Sequence, residues 1–416
     1  MLKWCVGLFA LAAGIRIAYI LLVPPKEPLL LDQAAYEALG EDVLTGRPYI
    51  LEQGYGYNSP VAPPFFWDPS SPTAVYPPGY PVFIAGVYLV LGHSRTALRL
   101  VQALLWGLAA VILFLIGTSA GLSRLSSGLG AVVLALSPPH VELSGLLLSE
   151  NIFTPLVFLS VLFLVLSLSK NPWWAAASGA CAGLAGLARP TGLGLALAMA
   201  IILVILLKSR GIGPGIALIL SAVLVLLPWG LRNQKAFGKP IFTSTAGGKA
   251  LYLTATGIPE YEDWDSITAF IIRKGIEPSL LHQSLDESQL DGIYMEMAGE
   301  AFARNPTRAI PTLVLNPLRF TFNMPYPGAR PSARTIAYAL FAALVIGLAV
   351  WGLLKNRNPR LWAMALVFLY FMLVHTVMSP SLVRYSLPAV PLLYPIALSA
   401  FSRKHDKAVA QGNPPP

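Results

Sequence analysis

The chain has 416 residues, 55% of them hydrophobic and only 12% charged, with a formal net charge of +9, where ordinary soluble domains carry roughly 25% charged residues. Several continuous apolar runs approach the ~20 residues needed to cross a bilayer, which excludes a soluble domain, and the absence of alternation in those runs excludes a β-barrel. The basic residues are scattered through short loops instead of forming a stripe, so the charge concerns topology and not nucleic acid, and two cysteines inside apolar runs, Cys5 and Cys181, build neither a disulfide framework nor a zinc cluster.

In chain order, Lys3 precedes an apolar run that closes at Pro24-Pro25. No small-residue cleavage site follows it, so it reads as an uncleaved first helix with a cytoplasmic N-terminus. Arg16 lies inside it, roughly 10 Å from the helix end at 1.5 Å per residue. It either snorkels or faces a polar cavity. The predicted spans are 3–23, 79–92, 98–118, 123–137, 150–169, 173–188, 191–207, 212–231, 333–354, 361–379 and 385–402. The expected fold is therefore all-α, one polytopic membrane domain over 1–402 with about 11 (10–13) crossings.

Seven of the twenty acidic residues fall between Glu27 and Asp68, and ten between Glu260 and Glu300. These segments belong to a first outer loop, 24–78, and a second outer region, 233–332. The basic clusters Lys208/Arg210, Lys355/Arg357/Arg360 and Arg403/Lys404/Lys407 mark the cytoplasmic side. Arg189 and Glu150 then fall outside, as do Ser379 and Arg384. Residues 306–324, with Pro311, Pro317 and Arg319, read as an interfacial helix. The tail, 403–416, is expected to be cytoplasmic and disordered. One conflict remains: seven predicted crossings separate the two outer regions where an even number is required. The fault is placed between 80 and 149, where 79–92 is short and SPPHVELSGLLLSE can hide a re-entrant half-helix.

Within the first loop, Ala35, Leu39 and Val43 recur at helical spacing, and Gly46 and Pro48 end the helix. Asp32 at its start has two compatible readings. It can cap the helix, or it can serve as a general base held at the membrane surface. Tyr55, Tyr57, Phe65, Phe66 and Trp67 form an interfacial belt or stack on sugars. Glu150 sits favourably at a helix start, or has a function that offsets the cost of burial. His375 packs or binds phosphate. Gly247-Gly248 is a weak anion nest.

The pattern Asp32-x-x-x-Tyr36-x-x-Leu39-x-x-x-x-Leu44-x-Gly46, followed by Tyr76-Pro77-Pro78-Gly79-Tyr80-Pro81, resembles the start of the GT-C membrane glycosyltransferases. The branch it is most similar to holds the protein O-mannosyltransferases and lipid A aminoarabinose transferases. Leu148-Ser149-Glu150-Asn151, Ala188-Arg189-Pro190-Thr191-Gly192, Pro228-Trp229 with Arg232-Asn233, and Arg384-Tyr385 with Pro388 and Pro391 continue the resemblance in family order. It implies sugar transfer from a polyprenyl-phosphate donor to a protein, lipid or envelope-glycan acceptor, with inversion, on the extracytoplasmic side of a prokaryotic plasma membrane. It assigns Asp32 as base and Arg189 and Arg384 as phosphate ligands, with Arg16 a weaker third. Tyr36, Tyr76, Glu150 and His375 join them as substrate-binding candidates.

Two departures bear on metal. Gln33 stands where many relatives carry a second acid, and Val75 and Tyr76 precede the Pro-Pro pair where the aminoarabinose branch has an acid and a lysine. Asp68 and Glu150 remain as candidate ligands, and metal dependence stays open. A transporter of lipid-linked sugar is the alternative function. It predicts internal repeats, and none is visible. A non-catalytic scaffold is a third reading, and it predicts that Asp32 is dispensable.

Overall fold

The computed structural model describes residues 1–23, 29, 32–51, 71–169, 171–256, 286–324, 330–378 and 383–401. Asp68, the aromatics from Tyr55 to Trp67 and the tail lie outside them. The described chain is helical, with one isolated bridge, Ile50 to Pro72. The helices are α1 (Leu2–Leu22), α2 (Asp32–Thr45), α3 (Gly79–Leu91), α4 (Arg95–Ser119), α5 (Arg124–Leu136), α6 (Pro138–Ser144), α7 (Glu150–Ser169), α8 (Trp174–Ala188), α9 (Thr191–Leu207) and α10 (Ile212–Phe237). They continue as α11 (Gly247–Thr256), α12 (Glu287–Arg304), α13 (Ala309–Phe322), α14 (Ala333–Asn356), α15 (Pro359–Val377) and α16 (Leu393–Ser399).

Contacts at the two ends of the bundle settle the parity conflict. α3 begins beside the N-terminal half of α2, where Tyr80 meets Tyr36 edge-on. It also ends beside α2: His93 pairs with Glu41 at 2.7 Å and Arg95 with Glu37 at 2.6 Å. The predicted span 79–92 is therefore not a crossing. It runs alongside α2, with contacts to that helix at its first turn and just past its last. α6 likewise stays at this end, its Ser144 carbonyl accepting from Gln102 near the start of α4. The segments between the two outer regions that do run end to end are α4, α5, α7, α8, α9 and α10, an even number. At the opposite end, Asn358 donates to the Ala120 carbonyl and Lys355 to that of Ala400. This gathers the tips of α4, α14, α15 and α16 beside the basic residues Lys355, Arg357 and Arg360.

Two other expectations change in detail. The predicted span 385–402 is not one helix: 3-10 turns at Val383–Tyr385 and Val390–Leu392 precede the short α16. Pro388, Pro391 and Pro395 remove the amide donors that a continuous helix would need. The expected interfacial helix forms as α13, and it is polar on the inside. Thr312, Asn316 and Arg319 are buried, while Ile310 and Val314 are exposed, and Asn316 donates to the Thr376 carbonyl of α15.

Close packing comes from small residues, since lipid gives helices no hydrophobic reason to associate. α8 reads WAAASGACAGLAGLA. A Cβ on Gly179 would collide with the Leu218 carbonyl of α10, and one on Gly183 would press on Ala222 of the same helix. Arg16 is fully buried rather than snorkelling. It donates to the carbonyls of Ala12, Leu134 and Ala135 and lies over the Trp106 ring at 5.1 Å. It thus satisfies the carbonyls left unpaired at the end of α5.

Candidate active site

Three turns at one end of the bundle build the site, and local sequence explains each. Pro190 forces the residue before it out of the helical region. Arg189 accordingly adopts φ −150°, ψ 139° and ends α8. Gly192 is needed because any side chain there would strike the backbone of Ala185 and Gly186. Gly79 of the Tyr-Pro-Pro-Gly-Tyr-Pro motif meets the end of α8 in the same way. A Cβ on it would lie 2.7 Å from the Leu187 carbonyl oxygen. That close approach brings the end of the first loop against the residue that precedes Arg189 by two.

The Ser149-Glu150-Asn151 turn at the start of α7 is fixed by Asn151. Its amide donates to the carbonyls of Leu143, Leu146 and Leu148, and its oxygen accepts from the Trp106 indole at 2.8 Å. Gln33 supports the same turn by accepting from the Leu147 amide at 3.0 Å. The residue that replaces the family's second acid is thus a strut.

These turns converge on one ion network. Asp32 opens α2, and both its oxygens take tertiary partners. Tyr76 donates to Oδ1 at 2.9 Å, and Arg384 donates to Oδ2 at 2.8 Å. Its side chain keeps 31% of its surface accessible. Glu150, 1% exposed, lies 2.7 Å from Nη1 of Arg189 and 3.7 Å from Nε of Arg384. Arg384 therefore stands between the two carboxylates. Arg189 also donates to the Ser149 hydroxyl, which accepts from Tyr36 at 3.0 Å. Burial alone would lower the pKa of Arg384, but Glu150, Tyr385 and Asp32 outweigh it and raise the value. The guanidinium is a permanent cation.

Tyr385 is a plate between cations. Arg189 and Arg384 lie over its ring at 5.1 and 5.2 Å. On it stacks His375, whose ring is 4.8 Å away and in turn 5.5 Å from Phe320 of α13. His375 thus backs the site through a stack. Its Nδ1, both oxygens of Glu150, the hydroxyls of Thr154 and Thr191 and Nε of Arg384 are buried without a hydrogen-bond partner, although Glu150 is ion-paired.

Asp32, Tyr36, Tyr76, Glu150, Arg189 and Arg384 are accordingly brought together, and His375 lies one ring behind them. Arg16 is placed elsewhere, under α5. Sequence reasoning passed over Ser149 and Tyr385, although both stand within the quoted motifs. It also passed over Glu287, which no local pattern distinguishes.

Glu150 is poorly disposed to a divalent cation, because two guanidinium groups already approach its Oε1, and Asp68 lies outside the described residues. Glu37, Glu41 and His93 come within chelating distance of one another. Glu37, however, is held by Arg95 and by Tyr88 at 2.7 Å, which leaves it poorly disposed to a metal. The Gly247-Gly248 amide expected to form an anion nest already has an anion: Gly248 donates to Asp291 at 2.6 Å.

A cavity of about 620 Å³ opens beside Arg384, between the α5–α6 turn and α14. Leu136, Leu143, Leu146, Phe341 and Leu387 give it an apolar wall. The exposed pair Arg334–Glu142, at 2.6 Å, stands on its rim.

Residues 75–229 match the family model described as dolichyl-phosphate-mannose-protein mannosyltransferase. No curated protein matches the sequence. Among solved structures, the chain is similar to the Archaeoglobus fulgidus oligosaccharyltransferase tethered to an acceptor peptide. The TM-score is 0.57 at 13% identity, over 95% of this chain and 49% of that one. The chain thus spans about half the length of that protein. It also aligns with ArnT from Cupriavidus metallidurans bound to undecaprenyl phosphate, at TM-score 0.42 and 14% identity over 98% of this chain and 78% of that one.

Proposed function

We propose, for a chain with the GT-C membrane glycosyltransferase fold that is related over 75–229 to the protein O-mannosyltransferases, that it transfers a sugar from a polyprenyl-phosphate donor to an acceptor hydroxyl or amide. The observation that carries this reading is the placement of Asp32 and Arg384. The accessible carboxylate and the permanent cation touch each other beside an apolar cavity. That is the combination a lipid phosphate donor and an attacking nucleophile require.

The donor's isoprenoid chain enters the cavity between α5–α6 and α14, and its phosphate sits at Arg384, with Arg189 behind. Asp32 takes the proton from the acceptor as its oxygen or nitrogen attacks the anomeric carbon. The bond from that carbon to the phosphate oxygen breaks on the opposite face, so configuration inverts. The leaving phosphate gains negative charge, which Arg384 offsets by charge-assisted hydrogen bonds. Tyr76 orients Asp32, and Tyr36 orients Ser149 and so Arg189. The site faces the extracytoplasmic side, since Lys355, Arg357 and Arg360 lie at the other end of the bundle. The acceptor is a protein, a lipid or an envelope glycan.

The test is transfer of label from a panel of polyprenyl-phosphate sugars by membranes carrying the wild type or Asp32→Asn. The substitution keeps size and a hydrogen bond to Tyr76 but removes the base. Transfer by wild type and loss of roughly 10²–10⁴-fold in the folded variant is expected for a general base. Equal transfer by both would remove Asp32 from the chemistry. Movement of labelled lipid between leaflets without transfer would make the protein a transporter.

A further inference from the structure

The Asp32 partner Tyr76 lies at the end of a short irregular segment, 73–76, and the second outer region holds that segment in place. Glu287, the first residue of α12, reaches across 213 positions to accept from the Ala74 amide. The same carboxylate accepts from the Thr73 hydroxyl at 2.9 Å and from the Thr245 hydroxyl at 2.9 Å. It is 5% exposed. Parallel ties reinforce the attachment. Ser244 donates to the Val75 carbonyl at 2.6 Å, and Arg232 donates to those of Thr73 and Tyr49 at 2.8 and 3.1 Å.

Burial of a carboxylate is costly unless its oxygens are satisfied, and here three donors satisfy them. They come from two segments far apart in sequence, which this carboxylate bridges alongside the Ser244 bond to Val75 and the bond from the Thr245 amide to the Ala74 carbonyl. Burial pushes the group up to about 7, against the pull of Ala74, Thr73, Thr245 and the charge of Arg232. Arg232, the cation that opposes this rise, is itself bonded to the carbonyls of Thr73 and Tyr49.

We infer that Glu287 is a positioning residue for transfer, the latch through which the second outer region fixes the 73–76 segment and thereby the Tyr76 hydroxyl against Asp32. The inference rests on the glycosyl-transfer reading for its kinetic consequence, and on geometry alone for the latch. A base displaced by about 1 Å loses on the order of 10²-fold in rate. Glu287→Ala frees the segment and lowers kcat by about that factor, with the donor KM nearly unchanged, because Arg384 and the cavity are untouched. Glu287→Gln retains an acceptor for Ala74 and Thr245 and stays near wild type. Thr245→Val removes one of the three bonds and gives a smaller loss in the same direction.

The latch is also read without catalysis. In a background lacking Cys5 and Cys181, Ala74→Cys is shielded from an impermeant maleimide, and adding Glu287→Ala makes it reactive. Ala74→Cys that stays shielded in the Glu287→Ala protein would overturn the latch, whatever the activity. A freed segment with unchanged kcat, in an enzyme that Asp32→Asn inactivates, would overturn the positioning role. Maleimide exposure with no transfer by the wild type would confirm the latch and sink the glycosyl-transfer reading instead.

Discussion

At the scale of the residue, Glu150 governs the charge balance of the site. It is buried beside two guanidinium groups, and Arg189 has little else: one bond to Ser149 and the faces of Phe153 and Tyr385. Glu150→Gln keeps the shape and removes the charge, so Arg189 is left as a poorly compensated cation. Removing one partner of a buried pair costs about 3–5 kcal/mol. We expect a lower thermal midpoint for the purified protein and at least a roughly tenfold loss of transfer. A variant with wild-type values of both would show that Ser149 and the rings of Phe153 and Tyr385 suffice to hold Arg189. Asp32, Arg189 and Arg384 were singled out in the sequence by the motifs they stand in, and of the three only Arg189 lies beside a turn residue, Pro190, that backbone geometry demands. Glu287 was not. Its hydrogen bonds run to Thr73 and Ala74, more than two hundred residues away, and to Thr245, and no local spacing records such bonds.

At the scale of the element, α3 shows how far length and apolarity carry a sequence argument. Thirteen apolar residues look like a short span, yet Glu37 and Glu41 of α2 take the charges that follow it and draw its far end back. Only the paired partners decide this, and they lie some fifty residues apart. The last predicted span runs from Arg384 to Ala400 as two 3-10 turns and a short helix instead of one helix, for a local reason that was on view, three prolines within eight residues. α8 makes a related point, since nothing in its sequence names the helix that its glycines pack against. Gly179→Ala would force α10 away at Leu218. Overpacking of this kind costs about 1–3 kcal/mol, so the detergent-solubilised variant should unfold at a lower temperature than Gly86→Ala, where a Cβ meets nothing within 4 Å. Equal midpoints would mean that α8 and α10 separate without penalty.

At the scale of the whole molecule, the proposed orientation makes a prediction that involves no catalysis. In a background lacking Cys5 and Cys181, Arg330→Cys, just before α14, should react with an impermeant maleimide in intact cells. Arg357→Cys, just after α14, should react only once the membrane is opened. The reverse pattern would turn the protein over and place the site inside. The overall class and the basic cluster at the end opposite the site were readable from composition, because the bilayer imposes such features on any chain.

The ion pair between Asp32 and Arg384 joins positions 352 residues apart, one following the first crossing and the other following α15. In time as well as in space, this contact closes last. During synthesis Asp32 is made near the start, and its cationic partner Arg384 arrives only when nearly all the other spans have been made. Until then the half-built bundle presents a carboxylate with no counter-charge from Arg384 and no complete phosphate site. A chain interrupted during insertion therefore holds most of the fold and none of the assembled pair, so a stalled intermediate lacks the site that would process lipid-linked sugar.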